Sequence, residues 1–314
     1  MSDAQPVHVA VLIPCYNEEV TVGTVVTDFR AALPFATVYV YDNNSTDRTC
    51  EVAREAGAIV RQEWLQGKGN VIRRMFADLD ADYYVLVDGD ATYEAAAAPR
   101  MLAMAAENQL DVVTGARVTD RKAAYRPGHV LGNKVLTSLV TNFFGRRTED
   151  MLSGYRVFSR RFVKSFPAAS SGFETETEFT VHALQLCMPI GEVQTRYIER
   201  PDGSESKLNT WGDGVRILAT IVRLVKQERP LLFFTILAVL FAAIGILLGI
   251  PVISDYMRTG LVARLPTAVL ATGFEILAAL SLVCGLILDS VAVGRLEVKR
   301  LNYLAQEAPK IMSF

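Results

Sequence analysis

The stretch Asp82–Tyr93, DYYVLVDGDATY, decides the fold. Tyr83, Tyr84, Val85, Leu86 and Val87 form a near-continuous apolar run, which predicts a strand buried on both faces. The run stops at Asp88-Gly89-Asp90. Two carboxylates one glycine apart, just past the C-terminal end of a buried strand, fall on the ligand-facing edge of an open α/β sheet. Their mutual repulsion is tolerable if they are solvated or share a cation. A hard divalent ion such as Mg²⁺ takes oxygen ligands and completes its shell with substrate phosphates. As a plain turn the same residues need no function, because Asp and Gly are common turn formers. The neighbouring loops therefore carry the decision.

Upstream, Val7–Ile13 reads as a strand that ends at Pro14-Cys15-Tyr16-Asn17-Glu18-Glu19. Asn17 is a candidate N-cap, with Glu18 and Glu19 at the positive end of a helix running to about Leu33. A second strand, Thr37–Tyr41, opens into Asp42-Asn43-Asn44-Ser45-Thr46-Asp47, and a helix continues to Ala56. Ala58–Arg61 is a third strand, and Gly67-Lys68-Gly69-Asn70 leads into a helix through Leu79. Strands alternating with helices in this way predict βαβ units and a mostly parallel sheet. Downstream, Asp111–Thr114, Gly154–Phe158 and Glu192–Ile198 read as further strands, and Glu174–Cys187 as a helix.

The character changes at Gly212. Over Val215–Glu228, Arg216, Thr220, Arg223 and Gln227 share one helical stripe, while Val215, Leu218, Val222 and Val225 share another. A basic amphipathic helix beside a long apolar run predicts a position in the membrane interface. Leu231–Ser254 carries no charge and is long enough to cross a bilayer; Pro266–Leu288 is a second candidate, interrupted by Glu275. Arg216, Arg223, Lys226 and Arg229 precede the first span, and Arg295, Lys299 and Arg300 follow the second. The positive-inside rule then places both ends in the cytoplasm, as at a bacterial inner membrane. Glu275 is costly in hydrocarbon and is expected to face a helix neighbour, a subunit or a polar head group. The expected organisation is a catalytic domain over 1–211, a juxtamembrane helix over 212–229, a hairpin over 230–290 and a cytoplasmic tail over 291–314.

The totals agree. Hydrophobic residues make up 51% of the 314 positions, and their excess lies beyond Pro230. A net charge of −2 gives no case for nucleic-acid binding. Cys15, Cys50, Cys187 and Cys284 are scattered without a CxxC pair, which argues against a disulfide framework or a zinc site. The N-terminus shows no basic region followed by an apolar run, so no signal peptide is expected.

Tyr16–Glu18, Asp42–Asn44 and Asp88–Asp90 follow three early strands, and in a parallel sheet such loops converge on one crevice. A carboxylate after the second strand suits a base or ribose, the DGD pair suits a metal on a diphosphate, and Lys68 suits a phosphate or the base. Together they describe a site for a nucleotide diphosphate.

The series VLIPCYNEE (11–19), YDNNSTDRT (41–49), GKGN (67–70), VLVDGDATY (85–93), LSGYRVFSRR (152–161) and ERPDGSESKL (199–208) resembles the family 2 glycosyltransferases of GT-A fold. More narrowly, it is similar to the polyprenyl-phosphate glycosyltransferases of the dolichyl-phosphate mannose synthase type. The resemblance covers roughly residues 7–210 and implies an α/β, Rossmann-like, mostly parallel sheet ahead of the membrane hairpin. It implies that Pro14, Tyr16, Glu18, Asp42 and Asn44 line the nucleotide together with Lys68. Asp88 and Asp90 would hold Mg²⁺ or Mn²⁺ as a DxD motif. Arg117 would face the phosphates of donor or acceptor, and Arg117, Arg126, Arg200 and Lys207 could supply the cations that an acceptor phosphate needs. His129 lies in the same loop region as Arg126, and a satisfied loop histidine is its ordinary reading. Where many relatives add a glutamine to the metal shell, this chain has Thr92-Tyr93.

A phosphate monoester is largely dianionic at pH 7, with a second pKa of about 6, so as an acceptor it needs cations and no general base. Asp150 lies where hydroxyl-glycosylating relatives keep their base and is expected to orient sugar or acceptor. Glu174, Glu176 and Glu178 suit the sugar, a basic loop or the first turn of a helix. The expected activity is inverting sugar transfer from a nucleotide donor, a UDP-sugar in preference to GDP-mannose, to a polyprenyl phosphate in membrane lipid. Homo-oligomers through the transmembrane helices fit that picture. A transferase acting on a lipid or polysaccharide hydroxyl is the alternative, although no QxxRW motif is visible. A nonenzymatic nucleotide-sugar-binding scaffold is a third reading, against which the intact DGD argues.

Overall fold

A computed structural model describes residues 7–118, 150–170, 172, 174–201, 222–223, 225–227 and 229–312. Arg126, His129, Lys207 and most of the Val215–Glu228 stretch lie outside the described residues.

Among the described residues the first compact unit is built on seven strands: β1 Val9–Cys15, β2 Thr37–Asp42, β3 Ile59–Gln62, β4 Tyr83–Leu86, β5 Val112–Val118, β6 Arg156–Ser159 and β7 Ile190–Arg196. Their order is β3-β2-β1-β4-β6-β5-β7. β1 pairs in parallel with β2 (Val11↔Val38) and with β4 (Val11↔Val85), while β5 pairs in parallel with β7. β6 runs antiparallel between β4 and β5. That insertion is the one reversal in the sheet. Nothing in the alternation of Arg156-Val-Phe-Ser159 encodes strand direction, so only the pairing reveals it.

Helices flank the sheet: α1 Val22–Ala32, α2 Thr49–Glu55, α3 Lys68–Asp78, α4 Ala98–Glu107, α5 Arg160–Ser165 and α6 Thr175–Gln185. α1 buries Val22, Val25, Val26 and Phe29, which share one helical face. α3 does the same with Val71, Ile72, Met75 and Phe76. Because β1 and β4 are buried on both faces, their sequences read as apolar runs and not as alternations. Asn17 is not a helix cap. It takes a left-handed backbone (φ 52), and α1 starts four residues later than that reading placed its first turn, at Val22 after Thr21.

β1 sends one connection to β2 on one side and has β4 on the other. The chain order therefore switches between β1 and β4, and the crevice of an open α/β sheet opens at such a point. The loops that meet there are Pro14–Glu18 and Asp88–Asp90. Thr21 Oγ1 ties them together by donating to the Gly89 carbonyl at 2.7 Å.

Residues Lys299–Met312 belong to the same compact unit as the sheet. There Tyr303 Oη donates to Asp111 Oδ2 (2.9 Å), and Lys310 Nζ pairs with Asp82 Oδ1 (2.9 Å).

The second unit contains two long apolar helices, both candidate membrane spans: α7 Pro230–Thr259 and α8, which begins at Leu265 and runs on to Leu304. At ~1.5 Å rise per residue both exceed the ~30 Å of a bilayer core. Gly260, at φ 70, closes α7, and Arg264 pairs with Asp255 at 3.0 Å. Glu275 lies over Gly245 of the facing helix, where any Cβ would stand 2.5 Å from its Oε1. Of the three expected neighbours for Glu275, a helix is the one found.

Candidate active site

Asp88 and Asp90 stand just beyond β4, and each is held by a basic side chain. Gly67, at φ 127, turns the chain so that α3 begins at Lys68. Lys68 Nζ then reaches Asp88 Oδ1 at 2.5 Å and Glu176 Oε1, from the first turn of α6, also at 2.5 Å. Burial opposes the charge on Lys68, but Asp88 and Glu176 outweigh it and raise the ammonium above its ordinary range. Burial, reinforced by the Asp88 charge, pushes the Glu176 carboxyl up against the pull of Lys68. The second oxygen of Glu176, Oε2, is buried with no protein hydrogen-bond partner.

Asp90 uses both oxygens. Oδ1 accepts from Thr92 Oγ1 (2.6 Å) and Thr92 N (3.2 Å), and Oδ2 accepts from Arg200 Nη2 (2.5 Å). Burial and the Asp88 charge push its carboxyl up, while Arg200 and Thr92 pull it down; the rise prevails. Arg200 sits beyond β7 on a segment stitched to the same loop. Ile198 N donates to the Thr92 carbonyl at 2.9 Å, and Tyr197 bridges to Tyr93.

Arg117, near the end of β5, clamps Asp150. Its Nε donates to Oδ2 at 2.7 Å, its Nη2 to Oδ1 at 2.8 Å, and its backbone N to Oδ2 at 3.2 Å. Burial would raise the Asp150 carboxyl, but the Arg117 hydrogen bonds and charge more than cancel it and hold Asp150 below its ordinary value. The same guanidinium lies 5.6 Å from the centre of the Tyr197 ring. Tyr93 Oη accepts from Gly154 N at 2.9 Å, and a Cβ on Gly154 would overlap the Asp88 carboxylate. Tyr93 and Tyr197 thus connect the Asp150 clamp to the DGD loop.

The nucleotide-side loops are pinned as firmly. Asp42 is buried and accepts from Ser45 N at 3.2 Å, and Glu18 N donates to Thr49 Oγ1 at 2.8 Å. Asn44 (φ 65) donates to the Trp64 carbonyl at 2.9 Å. Pro14 is the last residue but one of β1, and Tyr16, just past its end, is half-exposed. Of the predicted set, Asp88, Asp90, Lys68, Arg200, Arg117 and Asp150 are joined by contacts, directly or through the two tyrosines. Pro14, Tyr16, Glu18, Asp42 and Asn44 flank them on neighbouring loops.

Two contributors, Asn43 and Arg156, are not among the site residues read from the sequence, and a third, Glu176, is, but without its partner. Asn43 brackets the loop before α3, donating to the Glu63 and Leu65 carbonyls (2.8 and 2.9 Å) and accepting from Gly67 N (2.7 Å). Arg156 is fully buried, donating to the Ser153 and Met151 carbonyls (3.0 and 2.5 Å) and to Thr180 Oγ1 (3.1 Å), so it fixes the loop that carries Asp150. A charged residue inside the apolar run YRVFS was the available signal. Glu176 is one of the three glutamates expected to meet the sugar or a basic loop or to open a helix; it stands in the first turn of α6, and its partner Lys68 lies 108 positions away.

Two carboxylates on one short loop suit Mg²⁺ or Mn²⁺, since such ions are commonly held by one or two carboxylates plus substrate phosphate oxygens. Among the described residues no group of three or more His, Cys, Asp or Glu is placed to hold an ion without substrate. The donor set therefore fits a metal that arrives with a diphosphate.

Comparison with known proteins shows the family. The sequence profile of "Glycosyl transferase family 2" matches residues 10–166. The chain is 36% identical over 258 residues to glycosyltransferase AglJ of Haloferax volcanii, covering 80% of this chain and 83% of that protein. It is 28% identical over 221 residues to a dolichyl-phosphate hexose transferase of the same organism, covering 70% and 95%. Glucosyl-3-phosphoglycerate synthase from Mycobacterium tuberculosis, solved with Mn²⁺, UDP and phosphoglyceric acid, shares the GT-A fold. It superposes with a TM-score of 0.58 at 21% identity, over 69% of this chain and 78% of that one. The buried DGD strand, the switch-point crevice and these matches converge on one conclusion: the chain belongs to glycosyl transferase family 2.

Proposed function

We propose that this glycosyltransferase moves a sugar, with inversion, from a nucleotide-diphosphate donor to a polyprenyl phosphate at the cytoplasmic face of a membrane. Asp88 and Asp90 hold Mg²⁺ or Mn²⁺ on the donor diphosphate. When bound, the ion neutralises charge growing on the departing nucleotide diphosphate. Pro14, Tyr16, Glu18, Asp42 and Asn44 line the nucleotide, with a UDP-sugar favoured over GDP-mannose. Lys68 fixes Asp88 and Glu176 beside the diphosphate. Arg117, with Arg126 and Lys207 from outside the described residues, draws the acceptor phosphate in, and Arg200 stands with them beside the phosphates.

The observation that carries the acceptor is the Arg117 clamp on Asp150. A general base works best with a pKa near the working pH. Asp150 gives both oxygens to one guanidinium and is held more acidic than usual. That suits a nucleophile that is already ionised. A phosphate oxygen attacks the anomeric carbon, the bond to the donor diphosphate breaks, and its electron pair leaves with the nucleotide. No proton is removed from the acceptor. The likeness to a dolichyl-phosphate hexose transferase supports the same acceptor class.

Residues 1–211 form the catalytic domain in this reading, 212–229 an interfacial helix, 230–290 the two-span hairpin and 291–314 a cytoplasmic tail. The test is a screen of radiolabelled nucleotide sugars against membranes containing polyprenyl phosphate, with analysis of the lipid product. Label in an acid-labile lipid-linked monophosphate is expected. Label only in polysaccharide or in a neutral glycolipid would refute the proposal.

A further inference from the structure

Both carboxylates of the DGD loop carry a resident basic partner, but the two partners are built differently. Lys68 is locked between Asp88 and Glu176, with its side chain only 9% exposed. Arg200 is 25% exposed, and its Nη2 donates to Asp90 Oδ2 at 2.5 Å. Thr92 fixes the opposite oxygen of Asp90, so Oδ2, the oxygen that Arg200 occupies, is the one left to a metal. Asp90 is itself buried, so a bare carboxylate there would be costly.

Resting on the reading of this site as one for a metal and a nucleotide diphosphate, we infer that Arg200 is the exchangeable counter-cation of Asp90, displaced by the metal and handed to the donor diphosphate. The backbone supports a short exchange. Ile198 N bonds to the Thr92 carbonyl and Tyr197 bridges to Tyr93, so the arm bearing Arg200 is fastened to the two residues that follow Ala91. The guanidinium swings while its anchor stays in place.

Charge balance sets the consequence. Asp88, Asp90, Asp150 and Glu176 face Lys68, Arg117 and Arg200 across this site. A divalent ion arriving alone must push a guanidinium off Asp90 and then sit beside it, like charge against like. An ion arriving with a diphosphate brings the oxygens that Arg200 takes next, and a guanidinium pairs with phosphate through its planar fork. Metal and nucleotide therefore bind with positive coupling, and by linkage each tightens the other by the same factor. Arg200 is a positioning residue in this scheme: it keeps Asp90 paired in the empty site and transmits donor loading.

The test uses the full chain in detergent micelles, with free Mn²⁺ followed by its electron paramagnetic resonance signal. Mn²⁺ is titrated alone, with UDP and with GDP, on wild type, Arg200→Gln and Arg200→Lys. Arg200→Gln is expected to bind Mn²⁺ alone more tightly than wild type, by about fivefold or more, the lower end of ordinary site–site coupling. Its gain on adding the nucleotide shrinks by a similar factor. Arg200→Lys keeps the charge but loses the fork, so it shows a smaller rise in bare-metal affinity and guards against a misfolded glutamine variant. Unchanged or weaker bare-Mn²⁺ binding in both variants, with the nucleotide gain intact, would overturn the exchange while leaving the metal–nucleotide site standing. Failure of wild type to bind Mn²⁺ even with UDP or GDP would overturn the exchange and the functional reading together.

Discussion

Replacing Lys68 by Met tests the interior of the site. The substitution keeps the apolar stem and removes the ammonium that sits 2.5 Å from both Asp88 Oδ1 and Glu176 Oε1. Asp88 is 26% exposed and can turn to water, whereas the Glu176 side chain is 5% exposed and its Oε2 has no protein hydrogen-bond partner. The penalty therefore falls on Glu176. Removing one partner of a buried ion pair costs about 3–5 kcal/mol. Glu176 can escape part of it by taking a proton, at about 1.4 kcal/mol for each pH unit above its pKa. In the variant its folded pKa lies further above the unfolded value, since the pull of Lys68 is gone. A raised pKa gives stability that is full below the unfolded value and is lost as pH rises through the folded one. The deficit of Lys68→Met should thus be small near pH ~5 and approach about 3 kcal/mol or more near pH ~8. Denaturant unfolding of the purified chain at both pH values reads it. Lys68→Met/Glu176→Gln should recover at least half of the loss. A deficit that is equal at both pH values, or a double variant no more stable than Lys68→Met, would refute the buried triad as described.

Asp88→Ala or Asp90→Ala should lower metal-dependent transfer by about 100-fold or more while the domain stays folded, in the range seen when a group stabilising transition-state charge is removed. Chelation should reproduce that loss in wild type, and wild-type-like turnover of Asp88→Ala in chelator would contradict the assignment. His182 is buried and its imidazole is pushed down to about 3 by burial, with Lys299 adding to the effect. Because the unfolded chain binds a proton there near its ordinary pKa and the folded chain does not, stability should fall below pH ~6.5 at up to about 1.4 kcal/mol per pH unit. Acid unfolding of His182→Gln should be shallower than that of wild type over this range; an identical profile would count against it. In the hairpin, Gly245→Leu would drive a side chain into the carboxylate of Glu275. A lower yield of folded protein in detergent is expected, and a Tm equal to wild type would contradict the packing. For topology, a cysteine at position 260 should be labelled only from the side opposite the catalytic domain.

Elements with a one-dimensional signature were legible. β1 and β4 show as apolar runs because both faces of the sheet are covered, and α1 and α3 show by their helical spacing. The DGD loop alone reads equally well as a plain turn, since Asp and Gly are common turn formers, so its reading as a ligand site depends on the neighbouring loops. Directions and partners were not legible. β6 carries the same pattern whether parallel or antiparallel, so its reversal lies in the pairing of Val85 with Val157 alone. Asn17 looked like a helix cap because it precedes two acidic residues. In the fold it takes a left-handed turn, and its side chain instead accepts from Thr46 N at 2.8 Å. Arg200 and Asp90 are 110 positions apart, and the resemblance that set Arg200 near phosphates does not disclose that it pairs with Asp90. Such pairings are properties of three-dimensional closure.

The central claim is that the acceptor is a phosphate that needs no deprotonation. Paired kinetics with a polyprenyl phosphate and the matching polyprenol, on wild type and Asp150→Asn, test it directly. The account predicts transfer to the phosphate alone. In Asp150→Asn that transfer should be weakened through the acceptor KM, since Arg117 loses its ionic partner, with kcat reduced less than about 10-fold, below the 10²–10⁴ expected for loss of a general base. Efficient glycosylation of the alcohol, abolished in Asp150→Asn, would contradict it and make Asp150 the base of a hydroxyl-glycosylating enzyme.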